Sequence, residues 1–146
     1  MQFDMFYRIQ SIEDIYVKYI ADDPVRPNIS YSNRIGQFKD VFLLEELGKI
    51  KAMTCVSYQD NIPKLENELF MSSEPKVAVF YSIWSYEKGY GQKLILQSLN
   101  YIRQNFKEIT MVLTLSPKTE MARKFHLNNG AIVFCDNDET VNYQYL

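Results

Sequence analysis

The chain has 146 residues, 47% of them hydrophobic and 23% charged, and a formal net charge of −2. That length suits one domain with a buried core, and residues 1–146 are read as such. The near-neutral balance supplies no global basic field of the kind that gathers nucleic acid, so nucleic acid is not an expected partner. No run approaches the roughly 18 apolar residues of a membrane span, and the first residues lack the basic start and apolar stretch of a signal peptide. A cytoplasmic protein without membrane contact is expected. One histidine and two distant cysteines, Cys55 and Cys135, leave no set of metal ligands. Both cysteines read as small apolar side chains in a reducing compartment.

In chain order, residues 3–9 read as a first strand. Ser11, with Asp14 three residues on, resembles a capping box, and Ile12, Ile15, Tyr16, Tyr19 and Ile20 form one apolar helical face. Asp22-Asp23-Pro24 ends that helix, and residues 24–38 are polar and turn-rich. Residues 41–47 and 50–58 flank a turn at Gly48-Lys49 and read as a hairpin. Residues 61–75 read as a short helix or an ordered insertion. Residues 76–83, rich in β-branched and aromatic side chains, read as a strand, and Leu94, Ile95, Leu99, Ile102 and Phe106 mark a helix after it. Residues 109–115 form the next strand. Ser116-Pro117 reads as the start of a helix with Met121, Ala122 and Phe125 as its buried stripe, ended by Gly130. Residues 131–135 and 140–145 make a final hairpin.

Between the strand at 76–83 and its helix lies Tyr86-Glu87-Lys88-Gly89-Tyr90-Gly91-Gln92. Two glycines at the opening of a helix allow close approach of a ligand to backbone N–H groups, and the helix dipole favours phosphate there. The three-glycine dinucleotide fingerprint and the P-loop Gly-Lys-Ser/Thr are both absent. On these residues alone, a diphosphate-binding loop and a tight turn with no ligand stand side by side.

The order of elements and two local motifs resemble the GNAT superfamily of acyl-CoA-dependent N-acyltransferases. The first motif, R/Q-x-x-G-x-G/A, reads here Tyr86-Glu87-Lys88-Gly89-Tyr90-Gly91; the second, A-R-x-F-Y-x-x-x-G-F, reads Ala122-Arg123-Lys124-Phe125-His126-Leu127-Asn128-Asn129-Gly130-Ala131. The likeness is local over residues 76–135 and extends to the first 75 residues only by element order. It implies an α+β fold: a mixed, mostly antiparallel sheet of about six to seven strands, about four helices, and a splay between the fourth and fifth strands. It also implies acetyl-CoA as cofactor and acyl transfer to a primary amine by direct attack. Tyr81, Ser82 and Ile83 would pair with the pantetheine arm. Lys88, Gly89, Tyr90, Gly91 and Gln92 would hold the pyrophosphate, with Thr119 and Arg123 nearby. Relatives often form homodimers.

Three positions depart from the pattern. Tyr86 stands for the usual Arg or Gln, Thr119 for a frequent asparagine, and His126 for a tyrosine that protonates the departing thiolate. Imidazole titrates near neutrality, so His126 is the candidate catalytic residue, donating as imidazolium or through water. Glu45 and Glu46 are the candidates for a general base through water, and Tyr31 and Tyr58 for the acceptor site. Acidic residues Asp22, Asp23, Asp60, Glu66 and Glu68 would suit a cationic amine. The alternative reading is a GNAT-fold module that keeps acyl-CoA binding or a protein contact without turnover.

Overall fold

A computed structural model describes residues 5–71 and 74–146; Phe3 and Asp4 of the first expected strand, and Ser72 and Ser73 of the segment read as a short helix or insertion, lie outside them. Among the described residues, eight strands form one sheet: β1 (Met5–Ile9), β2 (Lys39–Glu46), β3 (Lys49–Gln59), β4 (Val77–Ser85), β5 (Met111–Thr114), β6 (Ser116–Pro117), β7 (Ala131–Asp136) and β8 (Thr140–Tyr145). The spatial order is β1-β2-β3-β4-β5-β8; β6 continues β5 along the same edge of β8, and β7 pairs with the other edge. Every described pairing is antiparallel except β4 with β5, whose parallel link is made by the crossover helix α1 (Tyr90–Asn105). A second helix, α2 (Glu120–Asn128), follows β6.

Side chains alternate across β2 and β3, so the sheet has an apolar set on each face. Phe42, Leu44, Ala52 and Val56 meet Leu94, Ile95, Leu99 and Ile102 of α1. Each of those four helix residues is at most 5% exposed, and burying such a side chain contributes about 1.5–3 kcal/mol. Val41, Leu43, Met53 and Cys55 face the other way, where Val17, Ile20 and Ile29 of the N-terminal segments cover them.

The mixed sheet and its splay follow the expected fold class, and the differences are local. The expected first helix is absent: residues 10–16 are turns, Val17–Asp22 is a 3-10 helix, and Ile12 and Ile15 are exposed. Ser11 Oγ accepts from the Glu13 N–H and Asp14 Oδ1 from the Tyr16 N–H, local bonds that compete with helical ones. Residues 61–71 are an ordered insertion with one 3-10 turn, Glu66–Glu68, pinned by Glu68 accepting from the Lys64 and Leu65 N–H groups. The hairpin turn is Leu47-Gly48, one residue earlier than expected, because Glu46 pairs with Lys49. Ser116 does not cap α2. It pairs with Val141 of β8 and its hydroxyl donates to Thr114 Oγ1, while Thr119 caps the helix by accepting from the Ala122 N–H at 3.2 Å.

The splay has a visible cause. In the β3–β4 pairing, Cys55 faces Ser82 and Val56 faces Phe80, so Tyr81 is an extra, bulged residue. Pairing of β4 with β5 stops at Phe80 and Thr114. A bulge bends its strand, and from Tyr81 onward β4 departs from β5.

Candidate functional site

A cleft of about 370 Å³ opens where the strands part. One wall is β4 from Tyr81 to Ser85; the other is Leu115 to Pro117 and the Thr119, Ala122, Phe125 and His126 face of α2, with Pro24 and Val25 alongside. Gly91, at the start of α1, reaches the same space. A Cβ on Gly91 would lie 3.2 Å from the Phe125 ring, so the missing side chain is what lets α1 and α2 approach here. Gly89 serves differently: it caps α1 at φ +91°, a conformation that side chains strain to adopt. No side chain caps this end of α1, and the first N–H groups of a helix have no partner within it.

Of the residues selected from the sequence, Tyr81, Ser82, Ile83, Gly91, Thr119 and His126 line the cleft. Lys88, Gly89, Tyr90, Gln92 and Arg123 are not among its lining. Lys88, Gln92 and Arg123 are exposed. Tyr90 is anchored away from the cleft, its hydroxyl donating to Glu46 at 2.5 Å and its ring beneath the ammonium groups of Lys51 and Lys93. Glu45 accepts from the Tyr16 hydroxyl, and Glu46 is buried by that bond to Tyr90, so neither expected base reaches the cleft. Tyr58 is buried against Phe106 with its hydroxyl on Asp40, and Tyr31 lies elsewhere. The acidic residues proposed for a cationic amine are engaged structurally: Asp22 by Tyr86, Asp23 by Arg34, Glu66 by Arg26, and Asp60 by the Glu74 N–H. Among the described residues, no carboxylate, lysine or arginine lines the cleft.

The polar groups that do line it are neutral. Ser82 is 3% exposed, and its hydroxyl has no hydrogen-bond partner among the described residues. A buried hydroxyl left so costs about 1–3 kcal/mol, and the Tyr81 and Ser98 hydroxyls share that state. His126 is 4% exposed, with Nδ1 2.7 Å from the Tyr145 hydroxyl and its ring stacked on Tyr143 at 5.0 Å. Burial lowers its pKa from 6.5 to about 4, because an apolar surrounding penalises the cation. Burial thus favours the uncharged imidazole over the imidazolium at neutral pH. Tyr86 donates to Asp22 Oδ2 at 2.6 Å and accepts from Trp84 Nε1 at 3.2 Å. It thus ties the glycine loop to the 3-10 helix rather than standing in for an anion-binding arginine.

Sequence reasoning missed Arg26 and Arg34. Both sit in the polar, turn-rich segment 24–38, yet Arg26 is 9% and Arg34 1% exposed. Arg34 pairs with Asp23 at 2.6 Å and donates to the Arg26 carbonyl at 2.6 Å. Arg26 donates to the Tyr81 and Leu115 carbonyls. An arginine among prolines and asparagines carries no periodic signal of burial. Trp84, missed as a cleft residue, was visible only as the next alternation of the strand.

No protein-family model and no curated protein sequence matches the chain. Solved structures do. A malonyl-CoA decarboxylase from Cupriavidus metallidurans is similar at TM-score 0.76 and 13% identity over 98% of this chain and 60% of its own length. The GNAT domain of S. lividans PAT is similar at TM-score 0.70 and 9% identity, covering 99% of this chain and 96% of that domain. An aminoglycoside N-acetyltransferase in complex with CoA is similar at TM-score 0.65 and 12% identity, covering 94% and 97%. The chain spans 35% to 60% of the length of the malonyl-CoA decarboxylases it matches. At these identities the likeness is one of fold, and the fold is that of the GNAT superfamily.

Proposed function

We propose that this GNAT-fold chain binds acyl-CoA in the β4–β5 cleft and transfers the acyl group, acetyl in the first instance, to a primary amine. The observation that supports this most is the cleft itself: a bulged strand with a freed edge, an orphaned buried hydroxyl at Ser82, and the uncapped N-terminus of α1 around one neutral, largely apolar space. A pantetheine arm offers amides and methylenes, which suit such walls, and a diphosphate suits the helix N-terminus. We assign Tyr81, Ser82 and Ile83 to the arm and the N–H groups of Lys88 to Gln92 to the diphosphate, with Thr119 and Arg123 on the neighbouring helix. When bound, acyl-CoA supplies a thioester carbonyl open to attack. The chain's part is to orient it, to exclude water with Trp84 and Phe125, and to offer hydrogen-bond donors to developing negative charge. His126 is assigned the role of a neutral donor near the leaving sulfur, directly or through water. With no carboxylate in the described lining, the acceptor amine is taken up in its unprotonated form.

Isothermal titration of acetyl-CoA and CoA tests the reading, with Gln92→Glu as the paired variant. A glutamate in the first turn suits the helix dipole but opposes a diphosphate. Wild-type binding, weakened about tenfold in the variant with no fall in melting temperature, is the expected result. Absence of wild-type binding would sink the reading. CoA release on addition of amines then separates an enzyme from a binding module without turnover.

A second reading is favoured by one observation. Among the described residues the cleft lining holds no carboxylate to deprotonate an ammonium, and a malonyl thioester needs none to lose CO2: the carbon–carbon bond breaks, its electron pair passes to an enolate held by hydrogen-bond donors, and the enolate takes a proton from water. Similar structures include malonyl-CoA decarboxylases at TM-scores of 0.68 to 0.76. Formation of acetyl-CoA from malonyl-CoA without any acceptor would establish it, and malonyl-CoA left intact would dismiss it.

A further inference from the structure

The last paired residues of β4 and β5 are Phe80 and Thr114. The next carbonyls on the two sides of the gap, Tyr81 O and Leu115 O, both accept from one side chain: Arg26 Nε at 2.9 Å and Arg26 Nη2 at 2.9 Å. Its remaining described contact is Nη1 on Glu66 Oε1 at 3.0 Å, and the Glu66 side chain is 45% exposed. Arg26 is itself held from behind. Its N–H donates to Asp23 Oδ1 at 3.1 Å, its carbonyl accepts from Arg34 at 2.6 Å, and Arg34 and Asp23 are a buried pair. The guanidinium is planar and rigid, so its donors keep a fixed spacing.

Backbone groups that lose a strand partner inside a protein need another. Two parallel strands would meet that need by continuing to pair. Here a cation takes both carbonyls instead, and the fork keeps the two backbones apart. A buried cation whose ionic partner is half in solvent is an expensive way to fill that space compared with an apolar side chain. Its presence at the apex of the cleft therefore points to a demand other than stability.

We propose that Arg26 is a positioning residue: it spans β4 and β5 and holds the cleft open before a ligand arrives. The ligand's identity rests on the acyl-CoA reading; the wedge does not. In Arg26→Met both donors are gone and the strands are free to close. The variant keeps or gains thermal stability but binds acetyl-CoA at least about tenfold more weakly. Arg26→Lys, which places one point charge where a fork stood, falls between. Arg26→Ala leaves a guanidinium-shaped space, so methylguanidinium restores binding and methylammonium does not.

The experiment combines titration of acetyl-CoA into wild type and the three variants, melting temperatures, and amide exchange over residues 81–85 in ligand-free protein. Affinity lost with stability retained, rescue by methylguanidinium, and slower exchange in Arg26→Met support the proposal. Wild-type affinity in Arg26→Met overturns it, as does a parallel fall of affinity and melting temperature without rescue in Arg26→Ala. If wild type itself does not bind acetyl-CoA, the acyl-CoA reading falls and exchange alone decides the wedge. Slower exchange over 81–85 in Arg26→Met, or in Arg26→Lys should the first not fold, then upholds it, and unchanged or faster exchange refutes it.

Discussion

His126 lines the cleft, yet its surroundings oppose its use as a cation. Its ring is enclosed by Phe125, Tyr143 and Tyr145, and burial holds its pKa at about 4 against 6.5 when solvated. Between those values the unfolded chain takes a proton that the native chain refuses, so acidification favours unfolding across that window. The penalty approaches about 3 kcal/mol at its acid end. His126→Gln should therefore flatten the decline of urea-unfolding free energy between pH 6.5 and 4, and an unaltered decline would show that burial is not the cause. The motif made this position legible in the sequence. Its protonation state was not, because the rings that enclose it come from β8 and from its own helix.

At the scale of elements, the parts with a strong period were legible: β4, α1, β5 and the final hairpin lie where alternation and helical spacing put them, whereas α2 begins at Glu120 instead of Ser116 and Met121 of its expected buried stripe is 83% exposed. The N-terminal helix was not, although Ile12, Ile15, Tyr16, Tyr19 and Ile20 have the spacing. Periodicity reports which residues want burial together; it does not count the turn bonds that Ser11 and Asp14 offer instead. The β2–β3 turn shows the same limit in reverse. Leu47 sits at φ +54° and is 81% exposed, so a γ-branched side chain occupies a left-handed turn position that asparagine adopts more readily. Leu47→Asn should raise the melting temperature, by a free energy of about 1 kcal/mol, and a lower melting temperature would mean that the leucine packs in a way its exposure hides.

Across the whole molecule, the sheet's two halves meet through four residue pairs of β4 with β5, and the segment between the 3-10 helix and β2 reaches across to join them. Asp23, Arg26 and Arg34 fasten that segment from within, where the sequence offers only a polar loop. Removing one partner of a buried pair strands the other. Arg34→Ala should thus cost about 3–5 kcal/mol in denaturant unfolding, far more than any exposed loop arginine, and a cost below 1 kcal/mol would mean that Asp23 finds water or neutralises freely. β8, the last described strand along the chain, lies inside the sheet, between β5 and β6 on one edge and β7 on the other. On the ribosome, β5 must then wait with a bare edge until β8 emerges. A polypeptide halted before Thr140 would present that edge, together with Ile132, Val133 and Phe134 on an unpaired β7, as a template for aggregation. The arrival of β8 is therefore the event that covers both edges at once.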